Sequence, residues 1–206
     1  MKILSREELL SLEAYAQCRD QFRRQVMTYK TDRKIHLGEH IRLLFEDRAT
    51  IQYQIQEMLR AERIFEAEAI QEELDTYNPL IPDGTNWKAT MMIEYTDTEK
   101  RREALSRLIG VEDRVWVQVD GYQRVYAVAD EDLERENAEK TSSVHFLSFQ
   151  LTPEMIDSLV QGSSLAMGVD HPQMQVVESI PEKNRLALVK DFADNPAAQL
   201  PLSQGN

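Results

Sequence analysis

A glutamate falls inside an apolar helical stripe, and this position constrains the fold more than any other feature of the chain. Between residues 50 and 65, four apolar side chains recur at helical spacing: Ile51, Ile55, Met58 and Leu59. Glu62 projects only about 20° from Ile51 on a helical wheel. Because a carboxylate removed from water needs a partner or a proton, we expect Glu62 to point inward and mark a buried polar site. The alternative is an ion pair with Arg48 or Arg42 that only fixes the helix on a sheet.

Composition limits the class of protein. The chain has 206 residues, of which 42% are hydrophobic, enough for one sizeable core. We find no apolar run long enough to cross a bilayer and no apolar signal core at the start, so we expect a cytoplasmic protein. The single cysteine, Cys18, excludes an internal disulfide and any Cys-x-x-Cys motif.

The net charge and its distribution along the chain limit which partners the protein can bind. The net charge of -12 argues against nucleic-acid binding, which needs many cations on one face. Residues 14 to 42 nevertheless hold seven Lys and Arg against three Asp and Glu. This basic segment indicates either docking, with Arg23 and Arg24 facing an acidic partner, or an ordinary solvated helix. Glu57 and Arg60, at i, i+3 on the outer face of the Glu62 helix, form a second candidate partner surface or a plain surface pair.

Helical and strand periodicities alternate along the chain and predict an α+β fold. We expect a single domain over residues 1 to 192, helical to residue 82 and sheet-rich from residue 83. Its antiparallel or mixed sheet would have about five to seven strands, with the helical third packed on it. Asp120-Gly121 predicts a hairpin with a two-residue loop. We expect the charged stretch from 129 to 142 to be mobile and the tail from 193 to 206 to fray.

The usual signatures of catalysis are missing from the sequence. It has no Gly-rich phosphate loop, no His-Glu-x-x-His, no Glu-x-x-His and no Gly-x-Ser-x-Gly. Of the four histidines, His36 and His40 fit solvated positions, whereas His145 alternates with apolar residues of a predicted strand. His171 follows Asp170 at the end of another predicted strand.

One hypothesis brings these polar residues together. Glu62, His145 and His171 with Asp170 would converge on a buried site, where imidazole and carboxylate could bind iron, zinc or manganese or move a proton. The alternative is a core histidine at 145 and a polar turn at 171.

Several segments resemble one bacterial family, the domain of unknown function 3501. They are Gly38-Glu39-His40 with Leu44-Phe45-Glu46-Asp47-Arg48, Gln54-Ile55-Gln56-Glu57-Met58-Leu59-Arg60-Ala61-Glu62-Arg63, Ile70-Gln71-Glu72-Glu73-Leu74-Asp75, Val144-His145-Phe146 and Val169-Asp170-His171-Pro172. The resemblance implies no reaction, cofactor or catalytic residue. It implies an accessory role around redox or metal enzymes, since family members are often encoded near rubrerythrin-like and iron-sulfur heterodisulfide-reductase-like proteins.

Two functions follow as expectations. The first is a binding or accessory module for an acidic or iron-sulfur redox protein. The second is a small metal-binding protein or metal-dependent enzyme built on Glu62, His145, Asp170 and His171 with a divalent metal as cofactor.

Overall fold

The computed structural model describes residues 3–129 and 140–192. Within them the helices are α1 (Leu12–Thr31), α2 (Arg48–Glu62), α3 (Ala67–Tyr77), α4 (Thr98–Arg107), α5 (Pro153–Val160) and α6 (Glu182–Val189). The strands are β1 (Lys34–Leu37), β2 (Ile41–Glu46), β3 (Asn86–Ile93), β4 (Val115–Val119), β5 (Val125–Tyr126), β6 (Val128–Ala129), β7 (Val144–Gln150), β8 (Leu165–His171) and β9 (Met174–Ser179). The predicted α+β class is confirmed.

The strands form two antiparallel sheets rather than the one sheet expected. The first has the order β1-β2-β3-β7-β6 and the second has the order β5-β4-β8-β9. Alternation along each strand gives each sheet an apolar face. Buried residues from the apolar faces of the two sheets belong to one core cluster, for example Phe45 and Met91 from the first sheet and Val117 and Met167 from the second. Local periodicity predicts the strands, but it does not state which strands pair, so the division into two sheets was missed.

Side-chain caps fix the helices of the N-terminal third. A short 3₁₀ helix, Arg6–Glu8, has a capping box formed by Ser5 and Glu8, and α1 begins after Ser11, which accepts a hydrogen bond from the Ala14 amide. Asp47 caps α2 in the same way by accepting from the Thr50 amide. These helices bury two small clusters of their own, one around Ile55 and Leu59 and one around Tyr15 and Phe22.

The C-terminal helix α6 is fastened to the core by specific contacts. The Trp87 indole N–H donates to the Leu188 carbonyl at 3.0 Å, and the Phe192 ring lies 4.9 Å from the Trp87 ring. The chain therefore brings its C-terminal helix back onto β3, close to the start of α2.

Two local expectations need correction or fall outside the described residues. The hairpin at Asp120-Gly121 exists, but Val117 pairs with Val125, so its loop is longer than two residues. Within the stretch from 129 to 142, Ala129 pairs with Leu147 and Thr141 is buried, while residues 130–139 and the tail 193–206 lie outside the described part. In that described part no helix is both long and apolar enough to cross a membrane.

Candidate functional site

Glu62 is exposed, so the expectation that it points into the fold is wrong. The stripe itself is correct, because Ile51, Ile55 and Leu59 are all buried. Glu62 is the last residue of α2, and Arg63 follows it with a left-handed φ of 57° that ends the helix. The carboxylate therefore lies beyond the packed part of the helix. Arg48, one of its expected partners, instead pairs with Glu8 at 2.6 Å.

His145 is buried on the inner face of the first sheet, opposite Met91, as its alternation predicts. Its Nδ1 lies 3.8 Å from a carboxylate oxygen of Glu112, in a 3₁₀ turn before β4. Its Nε2 lies 2.9 Å from the Ser142 carbonyl oxygen and 3.0 Å from the Thr141 hydroxyl. Since a carbonyl can only accept, Nε2 carries a proton and donates it. The arrangement is a buried imidazole beside a carboxylate.

His171 and Asp170 are adjacent in β8 but point to opposite faces. The buried His171 ring accepts from the Gln173 amide at Nδ1, and its Nε2 donates to the Ile109 carbonyl at 3.1 Å. Asp170 lies on the outer face, where the Tyr126 hydroxyl donates to it at 3.1 Å and Arg124 lies 3.7 Å away. Asp170 therefore does not orient His171, and both ring nitrogens of His171 are engaged by the backbone.

The structure does not assemble the predicted metal site. Each of Glu62, His145, Asp170 and His171 has its own surroundings. Across residues 3–129 and 140–192, no group of three or more His, Cys, Asp and Glu side chains is placed to hold a metal ion.

A buried ionic network around Arg33 was not foreseen. The Arg33 side chain is fully buried and lies 2.6 Å from Asp191 and 3.6 Å from Asp47. It also donates to the backbone carbonyls of Phe45 and Glu46. Burial raises the pKa of Asp191 to about 6, with the nearby charge of Asp47 in the same direction and Arg33 opposing both. In the sequence Arg33 is one of several cations in a basic segment, and no local pattern marks it as buried.

Glu57 joins two helices instead of facing a partner. Its carboxylate accepts from the Tyr15 hydroxyl at 2.6 Å and from Nε and Nη2 of Arg19, both at 2.8 Å. The Arg19 hydrogen bonds hold the pKa of Glu57 below its usual range, against the opposing effect of burial. Glu57 thus connects α2 to α1, and the expected pair with Arg60 is not what holds it.

The other three candidate partner-facing residues do reach solvent. Arg23 and Arg24 on α1 and Arg60 on α2 are exposed. We call these three residues the α1–α2 basic surface. Met27, which lies one turn after Arg23 and Arg24 on the same helix, is 37% exposed and adds apolar area beside them.

His40 is a further polar residue whose setting differs from the expected solvated position. It is half-buried, with its ring stacked on Tyr95 at 3.8 Å between centroids. It borders a groove of about 890 Å³ at the end of the first sheet. One local signal was a histidine directly after Gly38-Glu39, but no pattern in the sequence placed Tyr95 beside it.

Comparison with known proteins agrees with the resemblance seen in the sequence. The model of the family described as protein of unknown function (DUF3501) matches residues 3–192. The chain belongs to this family. A crystal structure of a novel protein of unknown function from Burkholderia pseudomallei K96243 is 50% identical, with a TM-score of 0.89, covering 93% of this chain and 100% of that one. No curated protein matches. The family membership thus fixes the fold and leaves the function to the geometry.

Proposed function

We propose that this protein is a binding or accessory module that docks an acidic redox protein, such as an iron-sulfur protein, through the α1–α2 basic surface. The observation that carries the proposal is the exposure of Arg23, Arg24 and Arg60 on two neighbouring helices of a chain whose net charge is -12. A local positive surface on an acidic protein steers an acidic partner toward that surface and away from the rest.

The pairing of the other charges supports this choice of surface. Several of the remaining arginines are engaged within the fold: Arg19 with Glu57, Arg33 with Asp191, Arg48 with Glu8 and Arg185 with Glu182. Arginine and methionine are also residue types enriched at protein interfaces. The α1–α2 basic surface therefore combines an exposed methionine with cations that form no ion pair among the described residues.

The helices beneath the surface are held in register. Glu57 receives three hydrogen bonds from α1, and the Tyr15, Phe22 and Tyr53 rings pack edge to face between α1 and α2. A preorganised surface loses less conformational entropy on binding. The redox class of the partner is supported by the family resemblance, which implies an accessory role beside rubrerythrin-like and iron-sulfur proteins.

A docking function fits this geometry better than the metal-dependent alternative. His145 and Glu112 supply two ligand types, but within the described ranges no third His, Cys, Asp or Glu joins them as a metal-binding group. Protein metal sites usually draw on three or four such ligands.

The test is a binding titration with a purified acidic [2Fe–2S] ferredoxin as the probe, in which surface plasmon resonance measures the binding. We expect a Kd that weakens as salt rises, and a further weakening of about tenfold or more in the Arg23→Glu, Arg24→Glu, Arg60→Glu variant. The variant Arg102→Glu, Arg107→Glu, Arg114→Glu is the matched control, because it changes the net charge by the same amount at three exposed arginines outside α1 and α2. The control should bind like the parent protein.

Two results separate the parts of the proposal. Equal weakening by the matched triple control would show that net charge alone matters and would overturn the α1–α2 basic surface as the docking site. A cluster-free acidic protein of matched charge is the second probe. If it binds as tightly as the ferredoxin, the redox class of the partner is wrong while the surface stands.

A further inference from the structure

Polar side chains from several elements line the groove beside His40. It lies between the β1–β2 turn, the end of β3 with residues 94 to 97 that follow it, the first turn of α4 and Ser143 before β7. It has a volume of about 890 Å³ and opens to solvent. Ligand pockets of this size accept small molecules.

His40 is fixed in one orientation at the edge of this groove. Its carbonyl accepts from the Glu94 amide at 2.8 Å, and its Nδ1 lies 3.1 Å from the Glu94 carbonyl oxygen. The ring also stacks on Tyr95 with an interplanar angle of 22°. Backbone and ring are therefore both held, which a solvated surface histidine would not require.

The bond to Glu94 decides the tautomer of His40. A carbonyl oxygen only accepts, so Nδ1 carries the proton and donates it. In the neutral ring, Nε2 then keeps its lone pair and is a hydrogen-bond acceptor. In this state the histidine can accept a hydrogen bond at Nε2 from an O–H or N–H group of a ligand.

The charges around His40 leave two cations available. Of the acidic residues on the wall, Glu94 is paired with Arg42 at 2.6 Å, and Asp97 caps α4 by accepting from the Lys100 amide at 2.9 Å. Lys100 and Arg101 are exposed and have no ion pair among the described residues. Glu39 is the remaining acid. The groove therefore has two cations, Lys100 and Arg101, that can bind an anion, and the His40 Nε2 atom can accept a hydrogen bond from a ligand.

We propose that this groove binds a small oxyanion that also carries an O–H donor, with Lys100 and Arg101 on the anionic oxygens and His40 Nε2 accepting the O–H. The simplest such ligand is inorganic phosphate, which keeps at least one P–OH at neutral pH. Sulfate has the same size and shape, but at neutral pH it has no proton to donate. A site that accepts a hydrogen bond from its ligand discriminates against an analogue that lacks the donor.

The experiment is isothermal titration of the full chain with inorganic phosphate and, separately, with sulfate. We expect phosphate to bind at least about tenfold more tightly than sulfate. His40→Phe keeps a ring to stack on Tyr95 and removes the acceptor, so the phosphate affinity should fall to the level of sulfate. Lys100→Ala with Arg101→Ala should weaken both anions together, since it removes the charge and not the acceptor.

The matched control is Arg102→Ala with Arg107→Ala, on the same helix, where the two arginines already pair with Glu99 and Glu103. It should leave both affinities unchanged. Equal binding of phosphate and sulfate to the parent chain, or unchanged discrimination in His40→Phe, would overturn the proposed role of His40. Unchanged affinities after loss of both cations would overturn the site itself.

A second measurement does not depend on the variants. Long-range ¹H–¹⁵N spectra report which imidazole nitrogen carries the proton. We expect the Nδ1–H form for His40 and a shift at Nε2 when phosphate is added, but none with sulfate. A dominant Nε2–H form would contradict the proposal. Since these residues lie outside the α1–α2 basic surface, failure here leaves the proposed docking function untouched.

Discussion

The Arg33 guanidinium and the Asp191 carboxylate meet at 2.6 Å although 158 residues separate them in the chain. Both side chains are almost completely shielded from water. Arg33 lies between the end of α1 and the start of β1, and Asp191 follows α6, so the pair ties the start of the fold to its end. The same guanidinium also donates to backbone carbonyls of Phe45, Glu46 and Ala187.

Removing the cation from this network should be costly. Arg33→Met leaves Asp47 and Asp191 buried without their shared counter-charge, and we expect the free energy of unfolding to fall by about 3 to 5 kcal/mol. Arg33→Lys keeps the charge but not the planar fork, so its loss should be intermediate. Urea denaturation followed by circular dichroism gives both values. Arg102→Met, at an exposed pair, is the control and should change stability by less than about 1 kcal/mol. A loss no larger than in the control would show that the network is not structural.

The Asp191 carboxyl should make stability depend on pH in an unusual direction. Burial raises its pKa from the ordinary value of 3.8 to about 6, so between these values the folded state binds the proton more tightly than the unfolded chain. The stability that this group contributes is therefore fully present below pH 3.8 and is lost as pH rises through about 6. The loss is on the order of 3 kcal/mol.

The measurement is the difference in unfolding free energy between the parent chain and Asp191→Asn from pH 4 to pH 7. The asparagine imitates the protonated acid, so titrations shared by both chains cancel. We expect the parent to lose stability relative to the variant as pH rises. A difference that changes in the opposite direction would mean that Arg33 holds Asp191 ionised.

Gly168 should tolerate no larger residue. An added Cβ would lie closer than van der Waals contact to the Val176 carbonyl and to the Trp116 ring, and that ring is itself covered by Arg124 at 4.0 Å. Gly168→Ala should therefore destabilise the second sheet by about 3 kcal/mol, measured by thermal and urea unfolding. Gln175→Ala, on the exposed face of the neighbouring β9, is the comparison and should be close to neutral. Equal stabilities for the two variants would show that the sheet can open at this point without cost.

The sequence predicted local structure well because local structure depends on neighbours in the chain. The apolar stripe of α2 and the inward face of His145 in β7 both follow from a fixed period, and both are confirmed. The direction of Glu62 also followed from the helical period, but direction alone does not bury a residue. Burial needs another element that covers the side chain, and Glu62, the last residue of α2, stays exposed.

Long-range partners could not be read from the sequence. Glu112 lies beside His145, and Asp191 lies beside Arg33, only because strands and helices distant in sequence pack together. Nothing in the local pattern separates Arg33, which is buried, from Arg24, which is exposed. The contact between His40 and Tyr95 could not be predicted for the same reason, because the pairing of β2 with β3 brings the two rings together.

The bond between α1 and α2 at Glu57 gives the last prediction. Replacing Glu57 by Ala releases both Tyr15 and Arg19, and a double-mutant cycle with Arg19→Ala should show a coupling of about 0.5 to 2 kcal/mol. Glu13→Ala, an exposed acid on α1, is the control for the change in charge and should show no coupling with Arg19.

Because Glu57→Ala leaves Arg23, Arg24 and Arg60 in place, it also separates charge from geometry in docking. If the register of the two helices matters, the variant binds the ferredoxin probe more weakly even though its net charge has become less negative. Tighter binding with a steeper salt dependence would show that charge alone governs the α1–α2 basic surface.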